Sequence, residues 1–208
     1  MDDLFAQQLG RVLQLSSGVF WTIAYVLMIY KSFQDRRPSI PLAALCANLT
    51  WQTIFTFIYP IDDLQMLINL VWLALNFMIM LQYLAYTTHR KHKTIRLLLS
   101  LAAAFLIHLS FTGEFQDLQG KYLAFGMNFM MSLLFIVMLR QQGTLGQSVG
   151  IGVMKFLGSM CAAIIFYYLF PDSPLLLVLY VFIIILDLTY IIMLKRQKRR
   201  DVGYMFRK

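Results

Sequence analysis

Seven apolar runs divided by short polar breaks govern what this chain can fold into. A helix needs about 20 residues, range ~17–25, to cross a hydrocarbon layer ~30 Å thick. Runs near that length cover residues 16–30, 40–59, 66–86, 95–111, 122–139, 149–170 and 174–194, the first and fourth being the shortest. Arg36, Arg37 and Pro38 mark the first break, Pro60 with Asp62 and Asp63 the second, and Pro171, Asp172, Ser173 and Pro174 the sixth. Hydrophobic residues fill 60% of the 208 positions and charged residues 13%, against roughly 25% charged in an ordinary soluble domain. A water-soluble unit of this length could not hide that much apolar surface, whereas helices in lipid need only satisfy their own backbone hydrogen bonds. The expected fold is all-α and integral to a membrane. One domain covers residues 1–208, with an N-terminal segment at 1–15 and a basic tail at 195–208. No cleavable signal is expected, because the first 14 residues are polar and carry Asp2 and Asp3 where a secretory leader would be basic.

Orientation follows from Lys and Arg, which favour the cytoplasmic side of short loops. After runs one, three, five and seven come Lys31, Arg36 and Arg37; Arg90, Lys91, Lys93 and Arg96; Arg140; and Lys195, Arg196, Lys198, Arg199, Arg200, Arg207 and Lys208. The opposite side holds only Arg11 and Lys121, together with Asp2, Asp3, Asp62, Asp63, Glu114, Asp117 and Asp172. Seven transmembrane helices, N-out and C-in, are therefore expected. The formal charge of +8 reads as topology and contact with anionic lipids, not as nucleic-acid binding. The expected location is a multi-pass cell membrane, a bacterial plasma membrane in preference to a eukaryotic endomembrane.

A faint internal repeat relates the first three runs to the last three, with the fourth as a linker, a 3+1+3 plan. Residues 26–60 and 136–171 share a polar break, a helix with a cysteine in its middle, and an aromatic end reaching proline (IFTFIYP against IIFYYLFP). Residues 75–83 (LNFMIMLQY) echo 188–196 (LTYIIMLKR). Small sugar transporters use such an arrangement, with a cavity between two bundles. Cys46 and Cys161 fall on different runs, so neither a disulfide framework nor a metal site is implied.

Polar groups at bilayer depth are expensive unless paired, so their positions carry the functional signal. Asp187 sits seven residues before Leu194, roughly 10 Å from the cytoplasmic end of its run, where a charged carboxylate costs ~2.5–3.5 kcal/mol. Tyr190 shares its face. Lys155 is the one lysine or arginine well inside a predicted span. Unpaired, Asp187 is a proton donor; paired with Lys155 it stays ionised and is a poor acid, and both readings stand. Asn48, Trp51 and Gln52 lie at i, i+3 and i+4 on the second helix, and Asn69, Trp72 and Asn76 repeat a similar face on the third. Asn128 and Ser132 add an i, i+4 pair on the fifth. Such amides serve either as interhelical glue, at around 0.6 kcal/mol each, or as the lining of a pocket whose aromatic faces stabilise a cation. His108 is expected near the outer boundary of the fourth helix. The basic segment 89–93 is a solvated loop, and the Met-rich stretch 127–138 is deformable packing. No phosphate loop, dinucleotide fingerprint, zinc motif or serine elbow is present, so soluble-enzyme chemistry is excluded and no cofactor or metal is called for.

Four segments carry a resemblance: 48–60 (NLTWQTIFTFIYP), 128–139 (NFMMSLLFIVML), 146–158 (GQSVGIGVMKFLG) and 187–194 (DLTYIIML). Through them the chain resembles the integral-membrane terpene cyclases that build fungal and actinobacterial meroterpenoids and indole diterpenes. The resemblance implies a seven-helix enzyme that protonates an epoxide or alkene on a membrane-dissolved prenyl substrate and steers the carbocation through ring closure. It implies Asp187 as the acid, with Trp51, Trp72 and Tyr190 stabilising cations. Asn48, Gln52, Asn76 and Asn128 would position the substrate oxygen or the acid, and Lys155 a loop or a polar head group. Gln52 stands where the family pattern has Glu, and Asn76 where an Asp aligns. Either Asp187 works alone, or the substrate needs different chemistry, or Gln52 is an introduced change. A prenyltransferase and an epoxidase of the same pathway are the implied partners. The readings from other classes are a small transporter or lipid-binding protein, and a cyclase relative without catalysis.

Overall fold

The structure, a computed structural model, describes residues 2–87 and 92–205. The described residues contain seven α-helices: α1 (Asp2–Asp35), α2 (Leu42–Phe57), α3 (Asp63–Tyr86), α4 (Lys93–Phe115), α5 (Lys121–Gln142), α6 (Val149–Leu169) and α7 (Pro174–Met205). Six are long and apolar enough to cross a membrane; α2, at 16 residues, is shorter. The loop residues Arg90 and Lys91, their neighbour His89, and the terminal Arg207 and Lys208 lie outside the described residues.

Helix ends follow local chemistry. α2 starts only after Pro41, whose ring fixes φ at −63° in an extended residue. Asp62 caps α3 by accepting from the Gln65 N–H at 2.8 Å, and Ser148 caps α6 by accepting from Ile151 N–H at 3.2 Å. Asp117 accepts from the N–H groups of Lys121, Tyr122 and Leu123 at 3.0–3.1 Å, closing the first turn of α5. Two helices overrun the expected spans. α1 begins at Asp2 where the apolar run begins at 16, and α7 continues through 195–205, because polar residues extend a helix as readily as apolar ones once its backbone bonds are running. The segments read as an N-terminal piece and a basic tail are thus continuous with membrane helices.

Among the described residues, α3 packs against both α1 and α2, and α7 against both α5 and α6. The two groups meet where α1 lies on α6 and α2 on α5, with α4 outside, against α2. The α1–α6 contact is close because Gly158 has no side chain: a Cβ there would fall 2.5 Å from Trp21 Cδ1. Ser17 Oγ donates to the Gly158 carbonyl at 2.9 Å across the same seam. At the opposite end Gly146, at φ +73°, passes so near the α1–α2 loop that a Cβ would meet the Pro38 carbonyl at 2.5 Å. Its N–H donates to Asp35 Oδ2 at 2.7 Å. The main core, with Tyr25, Met28, Leu45, Phe135, Tyr190 and Leu194, fills the bundle toward this end.

Gly158→Ala is expected to destabilise the protein by ~1–3 kcal/mol through overpacking against Trp21. Gly126→Ala, where nothing lies within 4 Å, should be neutral or stabilising. Thermal-unfolding midpoints in one detergent compare the two.

Candidate active site

α1, α2, α3, α5 and α6 part at the end of the bundle where α1 begins, leaving a cavity of about 990 Å³. That lies at the upper end of the 300–1,000 Å³ typical of ligand pockets. All three tryptophans of the chain, Trp21, Trp51 and Trp72, line it, with Tyr25. Trp21, Tyr25 and Trp72 form a triangle with centroids 5.6, 6.4 and 6.2 Å apart. Indole N–H groups fix two of the rings: Trp51 Nε1 donates to the Gly120 carbonyl at 3.1 Å, and Trp72 Nε1 to Thr22 Oγ1 at 3.1 Å. The polar edges of Trp51 and Trp72 are thus engaged within the protein.

At the floor is a group of neutral polar side chains. Asn48 Nδ2 donates to the Tyr25 hydroxyl at 3.3 Å, and Asn76 Nδ2 to Gln52 Oε1 at 3.3 Å. Asn48, Gln52 and Asn76 are all buried. Asn128, also on the cavity wall, donates from Nδ2 to Ser159 Oγ at 2.9 Å.

Behind the wall lies the charge. Lys155 Nζ on α6 donates to both carboxylate oxygens of Asp187 on α7, at 2.7 and 2.9 Å, and to Ser132 Oγ on α5 at 2.7 Å. Ser132 Oγ in turn lies 2.7 Å from Asp187 Oδ1 and 2.9 Å from the Asn128 carbonyl, so its single proton goes to one or the other. Lys155 and Asp187 are each 1% exposed. The ammonium sits 5.7 Å from the centroid of Trp21, which lines the cavity while Lys155 does not.

Of the residues singled out in the sequence, Asn48, Trp51, Gln52, Trp72 and Asn128 line the cavity. Asp187, Lys155, Tyr190 and Asn76 are set back from it. Of the two states open to Asp187, the structure has the ion-paired one, so it is not a free acid facing a pocket. Tyr190 packs against Phe135 at 5.4 Å in the core, which removes it from a cation in the cavity. Asn76 reaches the site through Gln52. Asn69 ties α3 to α2 by donating to the Phe55 carbonyl at 3.4 Å. His108 is buried, and its Nδ1 is 3.0 Å from Thr50 Oγ1, joining α4 to α2. The sequence reading missed Trp21, Tyr25 and Ser159. Ser17, Trp21 and Tyr25 share one face of α1 at i, i+4, i+8, a signal hidden by searching for amides and charges alone.

A profile of the Pyr4-like transmembrane terpene cyclases matches residues 3–200. The chain belongs to that family. It is 28% identical to the terpene cyclase macJ of Penicillium terrestre over 165 residues, 73% of this chain and 64% of that relative. Thus it spans just under two thirds of that relative's length. It is 28% identical to the Pyr4-family terpene cyclase mfmH of Annulohypoxylon moriforme, over 85% of this chain and 81% of the relative. To the terpene cyclase ltmB of Epichloe festucae var. lolii it is 27% identical, over 88% of this chain and 90% of the relative. A multi-pass membrane terpene cyclase is the reading these relatives support, over a transporter or a lipid-binding protein.

For a cyclase of this family, the ion pair makes stability testable apart from turnover. Lys155→Met leaves a buried carboxylate alone and should cost ~3–5 kcal/mol. Combining it with Asp187→Leu should recover most of that loss, because removing both partners of a buried pair is often neutral. Recovery is read as monodisperse protein after extraction and as the unfolding midpoint.

Proposed function

We propose that this cyclase acts on a membrane-dissolved epoxyprenyl substrate, and that neutral hydrogen-bond donors at the cavity floor open the epoxide. The observation that carries this reading is the group of Tyr25, Asn48 and Gln52 facing an aromatic cavity, with Asn76 behind Gln52. Asn48 donates to the Tyr25 oxygen, so this bond does not use the hydroxyl proton. Asn76 occupies the Gln52 carbonyl oxygen, leaving the Gln52 amide N–H groups as donors. As the epoxide C–O bond breaks, negative charge grows on oxygen, and donors fixed in a dry site stabilise such charge strongly. The Tyr25 proton passes to that oxygen, which becomes a hydroxyl. The carbon left behind is a cation, and the faces of Trp21, Trp51 and Trp72 attract it while a chain alkene attacks and closes the ring. A proton lost from the last cation restores Tyr25. Gln52 in place of a carboxylic acid fits this route, since an amide donates a hydrogen bond but not a proton.

Asp187 acts in this reading as a positioning residue, holding Lys155 beneath Trp21 and Ser132 against the Asn128 backbone. The topology that goes with it is seven spans, N-out and C-in, with α1–α3 and α5–α7 as two repeats related by the matching packing of α3 and α7. α2, about 24 Å long at 1.5 Å per residue, completes its crossing with the residues beside it. The basic loops and tail rest on anionic lipid. A bacterial plasma membrane remains our reading of the host membrane, although the relatives named above are fungal; imaging of tagged protein decides it. The substrate calls for a prenyl-transferring enzyme and an alkene epoxidase upstream.

Purified protein offered matched farnesyl and terminally epoxidised farnesyl aryl ethers should cyclise the epoxide only. Tyr25→Phe should lower kcat by about 10²–10³, the usual loss for one such donor. Wild-type turnover by that variant, or equal turnover of both ethers, refutes the floor chemistry. Product formation unchanged in Asp187→Asn removes any role for Asp187.

A further inference from the structure

The far end of the cavity has a chemistry of its own. Arg11 and Gln14 of α1, Gln65 of α3, Gln119 of the α4–α5 loop and Lys121 of α5 border its mouth. Arg11 and Lys121 are the only two basic residues on the side of the chain that otherwise carries acids. Topology gives no reason for cations there, since positive residues favour the other side, yet both border this one opening. The Lys121 ammonium lies 4.2 Å from the Phe170 ring centroid and 5.0 Å from that of Tyr122, which holds it beside the mouth. Among the described residues Arg11 takes part in neither ion pair. Asp62 is the one carboxylate on the lining, and it is engaged at the start of α3, accepting from Gln65 N–H at 2.8 Å and Gln14 Nε2 at 3.3 Å. On the lining itself two cations stand against one committed carboxylate; Asp117, whose carboxylate also faces Lys121, is engaged by the N–H groups of Lys121, Tyr122 and Leu123, and glutamine amides are able to donate beside the two cations.

We propose that this mouth binds a carboxylate on the substrate's head group, so that the substrate class is a prenylated organic acid. The inference rests on the cyclase reading above. An arginine guanidinium matches a carboxylate in a two-bond fork, and the lysine adds a point charge. Arg11 and Tyr25 are 14 residues apart on α1, an axial rise of about 21 Å. A head group at the mouth and a chain end at the floor are therefore separated by more than one five-carbon unit spans. The head group is held at the mouth while the far end of a long prenyl chain meets Tyr25.

Because all three tryptophans line the cavity, their fluorescence reports occupancy without turnover. The probes are a benzoic acid bearing a fully hydrogenated farnesyl ether, and its methyl ester, titrated into the protein in phosphatidylcholine nanodiscs. The acid should bind at least about tenfold more tightly than the ester, equivalent to ~1.4 kcal/mol, and the ratio should shrink as salt rises. Arg11→Gln with Lys121→Gln should bring the acid-to-ester ratio to about one, while Arg11→Lys with Lys121→Arg should preserve it, which separates lost charge from lost folding. Equal binding of acid and ester by the wild type overturns the head-group assignment and leaves the cyclase reading intact. No quenching by either probe overturns the cyclase reading with it. If phosphatidylglycerol in the nanodisc displaces the acid probe, the mouth takes lipid phosphate, and the substrate assignment falls.

Discussion

The bundle depends on a charge pair that water cannot reach. An isolated ammonium or carboxylate at the depth of Lys155 and Asp187 would be driven to neutralise or to leave the hydrocarbon. Each is held by the other, and both by Ser132, so one cluster ties α5, α6 and α7 together. The tie is directional. Lys155 reaches Asp187 from a place 5.7 Å from the Trp21 ring centroid, and Ser132 reaches both from one turn beyond Asn128. Two cavity-wall residues are thereby set by an interaction outside the cavity.

Space for the cavity comes from the same seam. The missing side chain at Gly158 lets α1 approach α6 at the level of Trp21, while the chain ends above it diverge around polar, glutamine-rich residues. Packing is dense toward the end where Gly146 meets Pro38 and open toward the end where α1 begins. A ligand entering by this mouth thus meets polar groups first, aromatic rings next, and buried amides last. That order suits an amphiphile with its reactive end leading.

The helices were legible because a hydrocarbon layer imposes a length on them, and a run of apolar residues records it directly. Their true ends were less so: α1 and α7 extend through polar sequence, where the hydrophobic signal stops but the backbone bonding does not. Asn48, Trp51, Gln52, Trp72 and Asn128 announced themselves by helical spacing of groups that lipid disfavours. Trp21 and Tyr25 did not, because an aromatic residue in an apolar helix is ordinary until a neighbouring helix leaves it facing a void. Periodicity places a side chain on a face but does not say what the face meets. The pairing of Lys155 with Asp187 was one of two readings the sequence allowed; choosing between them required the relative rotation of α6 and α7.

Under the proposed chemistry, the separation of charge from cavity has a reason. A carbocation is captured by any anion within bonding distance, so a carboxylate on the wall would compete with the chain alkene that must close the ring. Asp187 stands behind Lys155 and Trp21, where its charge is balanced and its oxygens are shielded. At the floor, away from the charged mouth, the groups that meet the substrate before it reacts are neutral, indole rings, a phenol and amides, and the phenolate left when Tyr25 gives up its proton keeps the hydrogen bond from Asn48 Nδ2. Neutral donors stabilise an oxygen that becomes negative, and π-faces stabilise a carbon that becomes positive, without either forming a bond that ends the reaction early. A site arranged this way gives up a strong acid, and an epoxide is the substrate for which that loss matters least, because ring strain supplies part of the drive that a carboxylic acid would otherwise provide.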